Sequence, residues 1–480
     1  MNYSIIRFVL GWIIKVEGLF LLLPLLTAII YQEQAGFSFL ICAAASIVIG
    51  TLMSWKKPSD KTFYAREGFI TVALGWIVMS LIGAVPFYIS GEIPSYLDAF
   101  FEIVSGFTTT GASILSDVEA LSKCMLLWRS FSHWLGGMGV LVFVLTILPL
   151  SGGESLHLLK AESPGPSVSK LVPKMRYTTG ILYLIYTGMM IVEIILLLIG
   201  KMPLFDALCM SFGSAGTGGF SILNTGCATY TTYQQAVITI FMFLFGVNFS
   251  FYFLILMKKG REALGIEEVK WYFIIFAAVT ILITINVSVD MGGNPLMNFQ
   301  HAAFQVSSVM TTTGYATLDF DLWPSFSKAL LVMIMFIGAC AGSTGGGIKV
   351  SRIVIYVKTI KKEFSSLLHP RSIKILKMDG KKIEHTVLRS ANVFLCAYVI
   401  IYALSVIIIS LDNFSFETNF TAVAATLNNI GPGLAGVGPT KNFGSYSVLS
   451  KLVLCFDMLA GRLELFPMLL LFIPSTWKRK

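Results

Sequence analysis

Charge is scarce in this chain: only 13% of its 480 residues are Asp, Glu, Lys or Arg. That is about half the share usual in soluble domains, so a water-facing surface over most of the molecule is excluded. Reactive groups are scarce too. The seven cysteines are scattered without a Cys-x-x-Cys, so neither a zinc site nor a disulfide framework is signalled. The five histidines (His133, His157, His301, His369, His385) form no ligand pair at helical spacing, and no His-Glu-x-x-His occurs. No metal site of that kind and no organic cofactor are expected. A membrane-embedded enzyme would need a nucleophile–base or metal pair, and the sequence offers none, so the chain reads as a non-enzyme.

What the chain has instead is apolar length. Hydrophobic residues make up 55% of it and the mean hydropathy is +0.78. Runs near the ~20 residues that cross a bilayer lie at about 5–30, 36–54, 68–90, 126–150, 178–200, 235–257, 271–289, 328–357, 388–411 and 448–474. Ten spans are predicted, and they must be helical, because a spanning backbone has to satisfy its own hydrogen bonds. Lys15 and Glu17 interrupt the first run and no small-residue cleavage pattern follows, so it reads as a retained helix rather than a secretory signal.

Basic residues cluster in alternate loops: Lys56, Lys57, Lys61 and Arg66; Lys160, Lys170, Lys174 and Arg176; Lys258, Lys259 and Arg261; Lys361 to Arg389; and Lys478 to Lys480. The positive-inside tendency makes these loops and both termini cytoplasmic. The formal net charge of +9 is therefore a topology signal, and no nucleic-acid partner is expected.

An internal repeat carries the functional information. The segments DAFFEIVSGFTTTG (98–111), DALCMSFGSAGTGG (206–219), HAAFQVSSVMTTTG (301–314) and TNFTAVAATLNNIG (418–431) align without gaps, and each ends in glycine. Each opens on a polar residue (Asp98, Asp206, His301, Thr418) and has a small residue six before the glycine (Ser105, Gly213, Ser308, Ala425). The spacing fits one spanning helix, a half-helix, a polar loop and a second spanning helix per unit. Aspartate near the start of the first two half-helices suits the positive end of the helix dipole.

Glycines and threonines also serve close helix packing, but four aligned copies between paired spans favour re-entrant loops. Irregular backbone at membrane depth must be buried in protein or line water, and four such loops make a ring of carbonyl oxygens that replaces an ion's hydration shell. The expected fold is an all-α membrane protein. Two N-terminal transmembrane helices (1–66) precede four helix–pore loop–helix units (67–176, 177–266, 267–386, 387–480) in pseudo-fourfold order around one central pore.

The segments SGFTTTGAS, GSAGTGGFS, VMTTTGYAT and LNNIGPGLAG, with WRSFSHWLGGMGVLVF (128–143) and LAGRLELFP (459–467), resemble the TrkH subunits of the Trk/Ktr/HKT superfamily of potassium transporters, essentially end to end. The resemblance implies a potassium-coordinating filter at Thr109, Thr110 and Gly111; Thr217, Gly218 and Gly219; Thr312, Thr313 and Gly314; and Asn429, Ile430 and Gly431. Backbone carbonyls would do most of the coordination. Glycine at 111 goes with potassium in this superfamily, whereas serine there marks some sodium-selective members. Asn429-Ile430 and Gly216-Thr217-Gly218 make the ring uneven, so weaker sodium rejection than in a fourfold-symmetric channel is expected.

The eighth span, FIGACAGSTGGGIKVSR (336–352), is divided by glycines in the manner of a broken helix that lines a cavity. It fails as a phosphate-binding loop because Ile348 stands where lysine is required. The resemblance makes it an intramembrane gate, with Ser343, Thr344, Gly345, Gly346 and Gly347 as gate residues and Arg462 meeting them from the last span. GPGLAG (431–436) matches a dinucleotide fingerprint but lacks the strand–turn–helix context. Arg129 is either interfacial pairing or functional. Asp98, Glu102, Asp117, Glu119, Asp319 and Asp321 are expected on the outer side, where acidic groups concentrate cations.

The resemblance further implies a homodimer in a bacterial cytoplasmic membrane and a TrkA-type cytoplasmic partner with nucleotide-binding domains. The basic loops 151–177 and 356–390 are its docking candidates, although anionic membrane lipids attract the same charges. The expected function is gated potassium uptake. A sodium-permeable or ion-coupled symporter is the alternative.

Overall fold

A computed structural model of the chain describes residues 1–58, 64–137, 139, 175–371 and 375–478. Four half-helices, Tyr96–Phe107, Leu204–Gly216, Pro295–Met310 and Phe416–Leu427, each follow a long helix that opens their unit: Ala65–Ser90, Met175–Ile199, Glu267–Asp290 and His385–Ile409. These opening helices run unbroken. Ile281, Leu282, Ile285, Val289, Val399, Ile400, Leu404 and Ile407 on two of them stand exposed, as a lipid-facing surface requires.

The helices that close the units behave differently. The second closing helix is bent by 92° between Thr232–Phe245 and Phe249–Leu256, where an unbroken span over 235–257 was expected. The bend falls at Gly246-Val247-Asn248; Asn248 caps the second half by accepting from the Ser250 N–H at 2.8 Å. The third is split into Ser325–Ile337 and Val350–Leu368, so the glycines of 338–347 do divide the eighth span. The fourth breaks between Val448–Arg462 and Phe466–Leu471, with Glu464 and Leu465 in the left-handed region. The first, Lys123–Gly137, meets the edge of the described residues, so the remainder of the predicted span 126–150 and the candidate docking loop through 174 lie outside them.

The three breaks, together with the first closing helix running to the edge of the described residues, account for six helices among the described residues, or seven with the bent pair, being long and apolar enough to span on their own, against ten runs in the sequence. The loop expected over 356–390 is instead helical to Leu368, followed by a two-stranded hairpin pairing Lys377 with Lys382 and Met378 with Lys381.

At the N-terminus, Tyr3–Phe20 and Leu22–Tyr31 share one apolar run interrupted at Leu21, and Gly36–Ser54 packs back on both. The close approach is made by Gly11 and Gly50, where a Cβ on either would press into backbone of the other helix. The expected fold class is the one observed: a helical membrane bundle with two N-terminal spans and four repeated units.

Candidate functional site

The four half-helices end in the same way. Thr109, Thr217, Thr312 and Asn429 adopt φ of 55°, 54°, 60° and 57°, and each N–H donates to the carbonyl three residues back, at 3.1 Å in every copy. The next residues, Thr110, Gly218, Thr313 and Ile430, donate to the carbonyls of Ser105, Gly213, Ser308 and Ala425 at 2.9, 2.8, 2.8 and 2.7 Å. This is the Schellman pair of bonds. The small residue six before each terminal glycine is its acceptor. Left-handed backbone costs about 1–2 kcal/mol per residue and asparagine tolerates it best, so the three threonines are held there against preference. Such outliers concentrate at functional sites.

Two residues later, Gly111, Gly219, Gly314 and Gly431 have φ of 82°, 78°, 85° and 101°. Their neighbours close a ring. A Cβ on Gly111 would run into the Gly218 carbonyl, one on Gly219 into Thr313, one on Gly314 into Ile430, and one on Gly431 would stand 2.8 Å from the Thr110 carbonyl oxygen. The loops thus follow one another in chain order and the fourth meets the first. All four glycines line one partly open cavity of about 160 Å³.

Within this ring the carbonyls of Thr109, Thr110, Thr217, Gly218, Thr312, Thr313, Asn429 and Ile430 accept no hydrogen bond from any other described residue. Buried carbonyls are nearly always paired, so eight carbonyls without a donor among the described residues are unusual.

Asn429 also explains the uneven fourth copy. Its Nδ2 donates to Thr110 Oγ1 at 3.0 Å and to the Met458 carbonyl at 2.8 Å, so one side chain ties the fourth loop to the first and to its own closing helix. In the first and third copies the flanking threonines bond each other instead, Thr108 to Thr110 and Thr311 to Thr313, both at 2.8 Å.

Behind the ring stand residues that sequence reasoning missed or misplaced. Glu102, expected at the outer surface, is fully buried and pairs with Arg129 at 2.7 Å. Its carboxylate also accepts from Ser113 Oγ and the Ile114 N–H, while Arg129 donates to the Ser221 carbonyl and stacks on Phe220. The pair therefore braces the exits of the first two loops. His133 Nε2 accepts from the Phe220 N–H at 3.2 Å, which leaves Nδ1–H to donate to the Gly106 carbonyl at 2.8 Å. Two charges opposed within apolar runs were the available signal for the first pair; nothing in the sequence marked the histidine.

Asp98 lies in the first turn of its half-helix and pairs with Lys451 at 2.6 Å. Asp117 and Glu119 accept from the Asn224 side-chain amide and backbone N–H, joining the exits of the first and second units; the amide holds Asp117 below the usual carboxylate range. Asp321 pairs with Lys328 at 3.6 Å, and Asp319 accepts from Thr440.

Beneath the ring lies the segment 338–349. The Gly346 N–H donates to Thr312 Oγ1 at 2.7 Å, and a Cβ on Gly345 would stand 2.8 Å from the Thr311 carbonyl oxygen. Arg462 reaches the segment as expected: it donates to the Thr344 carbonyl at 2.7 Å and to the carbonyls of Gly136 and Gly137. An arginine at membrane depth costs about 2.5–3.5 kcal/mol on insertion scales, and hydrogen bonds to a charged group contribute about 1.5–3 kcal/mol each, so three carbonyls offset it. Ser343 caps back onto the Cys340 carbonyl, and Gly347 closes the segment at φ 76°. Lys349, not singled out in the sequence, is buried and gives its ammonium to the carbonyls of Gly345 and Gly346.

The family description TrkH, "Cation transport protein", matches residues 35–479. The chain is 34% identical to the Trk system potassium uptake protein TrkH of Escherichia coli strain K12 and 32% identical to its TrkG, each over the whole of both proteins. The crystal structure of the potassium transporter TrkH from Vibrio parahaemolyticus superposes with a TM-score of 0.90 at 30% identity, covering all of both chains. The repeated fold, the ring of loops and this end-to-end similarity agree: the chain is a member of the TrkH family of cation transport proteins.

Proposed function

We propose that this chain is a gated potassium-permeation protein. The observation that carries the proposal is the set of eight carbonyls at Thr109, Thr110, Thr217, Gly218, Thr312, Thr313, Asn429 and Ile430 that accept no hydrogen bond from the described residues, arranged in a closed ring. Carbonyl rings of this kind replace the water around a permeating cation. Gly111, Gly219, Gly314 and Gly431 give the loops the backbone angles and the close approach the ring needs. Potassium as the ion is supported by the relatives named as potassium uptake proteins and by glycine rather than serine at 111.

Ser343 to Gly347 and Arg462 form the gate: the segment lies under the third loop, and the arginine holds it to the first closing helix. Potassium is the substrate, and no organic cofactor takes part. The units 67–176, 177–266, 267–386 and 387–480 each supply one loop. The protein acts as a homodimer, with both termini cytoplasmic. A TrkA-type nucleotide-binding protein docks on the basic surface that includes 356–390, and lipid surrounds the exposed apolar faces. One observation favours an ion-coupled reading: the Glu17 carboxylate is buried beside Gly83 with no hydrogen-bond partner among the described residues. Steep dependence of flux on a second ion gradient would select that reading.

The test is radioactive rubidium uptake into proteoliposomes holding this chain, challenged by external potassium and by sodium. Block by potassium far more than by sodium is expected. Equal block by both would contradict a potassium filter.

A further inference from the structure

Glu268 sits one residue inside the third opening helix, where its side chain is 4% exposed. Its Oε1 accepts two backbone hydrogen bonds, from Ala341 N–H at 2.6 Å and from Ser351 N–H at 3.0 Å. Ala341 lies near the start of the segment 338–349, and Ser351 lies just past its end, in the first turn of the helix that follows. One carboxylate oxygen therefore ties the start of the excursion to the helix that follows it, beside the Val350 N–H bond to the Ala339 carbonyl at 3.1 Å, and it satisfies two backbone donors that the broken helix left without intrahelical partners.

The same helix start is held from the other side. The Glu267 N–H donates to Asp379 Oδ1 at 2.7 Å, and Glu267 pairs with Lys358 at 2.6 Å. Lys358 also donates to the Lys377 carbonyl at 2.7 Å. Asp379 is the exposed tip of the hairpin 377–382, and Lys358 lies on the helix that follows the segment. An exposed hairpin and a buried carboxylate thus share two consecutive residues.

We propose that Glu268 is the positioning residue that keeps the intramembrane segment seated under the ring, and that the hairpin 377–382 fixes Glu268 through Glu267. This inference rests on the reading of 343–347 as a gate. When the first turn of helix 267–290 shifts, Ala341 and Ser351 lose their charged acceptor at once. The remaining anchors are neutral contacts, from Cys340 N–H to the Gly246 carbonyl, Phe249 N–H to the Gly342 carbonyl, Val350 N–H to the Ala339 carbonyl and Gly346 N–H to Thr312 Oγ1, with Lys349 and Arg462 holding the middle. Displacement of the hairpin by a docked protein is then a route to opening.

The test uses the full chain in proteoliposomes with two readouts: basal rubidium flux, and peptide-resolved labelling of cysteines by a membrane-permeant maleimide. Cys340, next to Ala341, is buried, as are Cys209 and Cys227 in the second unit. In Glu268→Ala, Cys340 labelling is expected to rise about tenfold or more and basal flux severalfold, with Cys209 and Cys227 still protected and the preference for potassium over sodium unchanged. Tenfold corresponds to about 1.4 kcal/mol, the low end for releasing charge-assisted bonds. Glu268→Gln keeps an acceptor oxygen in place and is expected to restore most of the protection; Asp379→Ala is expected to give a smaller rise in the same direction.

Protected Cys340 and unchanged flux in Glu268→Ala, with raised flux in Arg462→Ala, would overturn the inference and leave the gate standing. Unchanged flux in both would overturn the gate and this inference together. If Glu268→Ala does not fold, Glu268→Asp, whose carboxylate is one methylene too short to reach both donors, decides by the same labelling ratio.

Discussion

The ring of loops is built four times; the segment beneath it is built once. Each half-helix ends in the same left-handed turn and the same two hydrogen bonds, whereas among the described residues only the third closing helix sends a twelve-residue excursion, 338–349, under the ring. A cation needs oxygen from every side, so coordination rewards repetition. A gate needs one element with two arrangements, and one copy is enough. The difference predicts separable defects: changes in the ring alter which ion passes or whether any passes, and changes beneath it alter how often.

The largest effect is expected where the ring is tightest. In Gly219→Ala the new Cβ meets the Thr313 carbonyl at a φ of 78°. Backbone strain of about 1–2 kcal/mol and overpacking of about 1–3 kcal/mol together forecast a fall in rubidium uptake of about thirtyfold or more. Wild-type uptake would show that the loops do not close as described.

Beneath the ring, Arg462→Ala removes three carbonyl contacts; losing the equivalent of one, about 1.5–3 kcal/mol, raises basal flux about tenfold or more. Deletion of Gly345 to Gly347 is expected to act in the same direction. In both, competition by potassium and sodium keeps its wild-type ranking. A changed ranking would break the separation between the two regions.

Gly111→Ser sharpens the comparison from the other side. It crowds the Gly218 carbonyl at the first loop and is expected to erase most of the preference for potassium over sodium without raising basal flux. In Asn429→Thr the Met458 carbonyl and Thr110 hydroxyl lose their donor, and a β-branched residue enters the left-handed region. A severalfold loss of discrimination is expected, consistent with about 1–3 kcal/mol for unpaired buried groups.

The smallest effect concerns the mouth. The Asn224 amide lowers the Asp117 carboxyl, so its charge is present at neutral pH and disappears only as pH falls below the ordinary carboxylate range. Asn224→Ala raises that value toward normal, and uptake near pH 4 is expected to drop slightly further than in wild type. Identical pH profiles would remove Asp117 from any part in gathering cations.

The repeated region was the legible one. Four aligned segments ending in glycine gave the half-helices, the loops and their order, because the close approach of each loop to the next leaves no room for a Cβ at that glycine. The break at 338–349 was legible through its glycines, and its contact with Arg462 through a charge placed deep in an apolar span. What stayed hidden depends on cross-chain geometry. Glu102 looked like a surface acid because nothing local ties it to Arg129, 27 positions away. The bend at Gly246 to Asn248 was hidden in an apolar run that reads as continuous. The clamp at Glu268 and the contacts of Lys349 arise only when the broken helix is folded back between its neighbours.

The most direct test of the central claim is anomalous scattering from crystals of this protein grown with rubidium. Density is expected on the ring axis, surrounded by the carbonyls of Thr109, Thr110, Thr217, Gly218, Thr312, Thr313, Asn429 and Ile430, and absent in Gly219→Ala. Rubidium bound elsewhere with the ring unoccupied would contradict the assignment of these carbonyls to the filter.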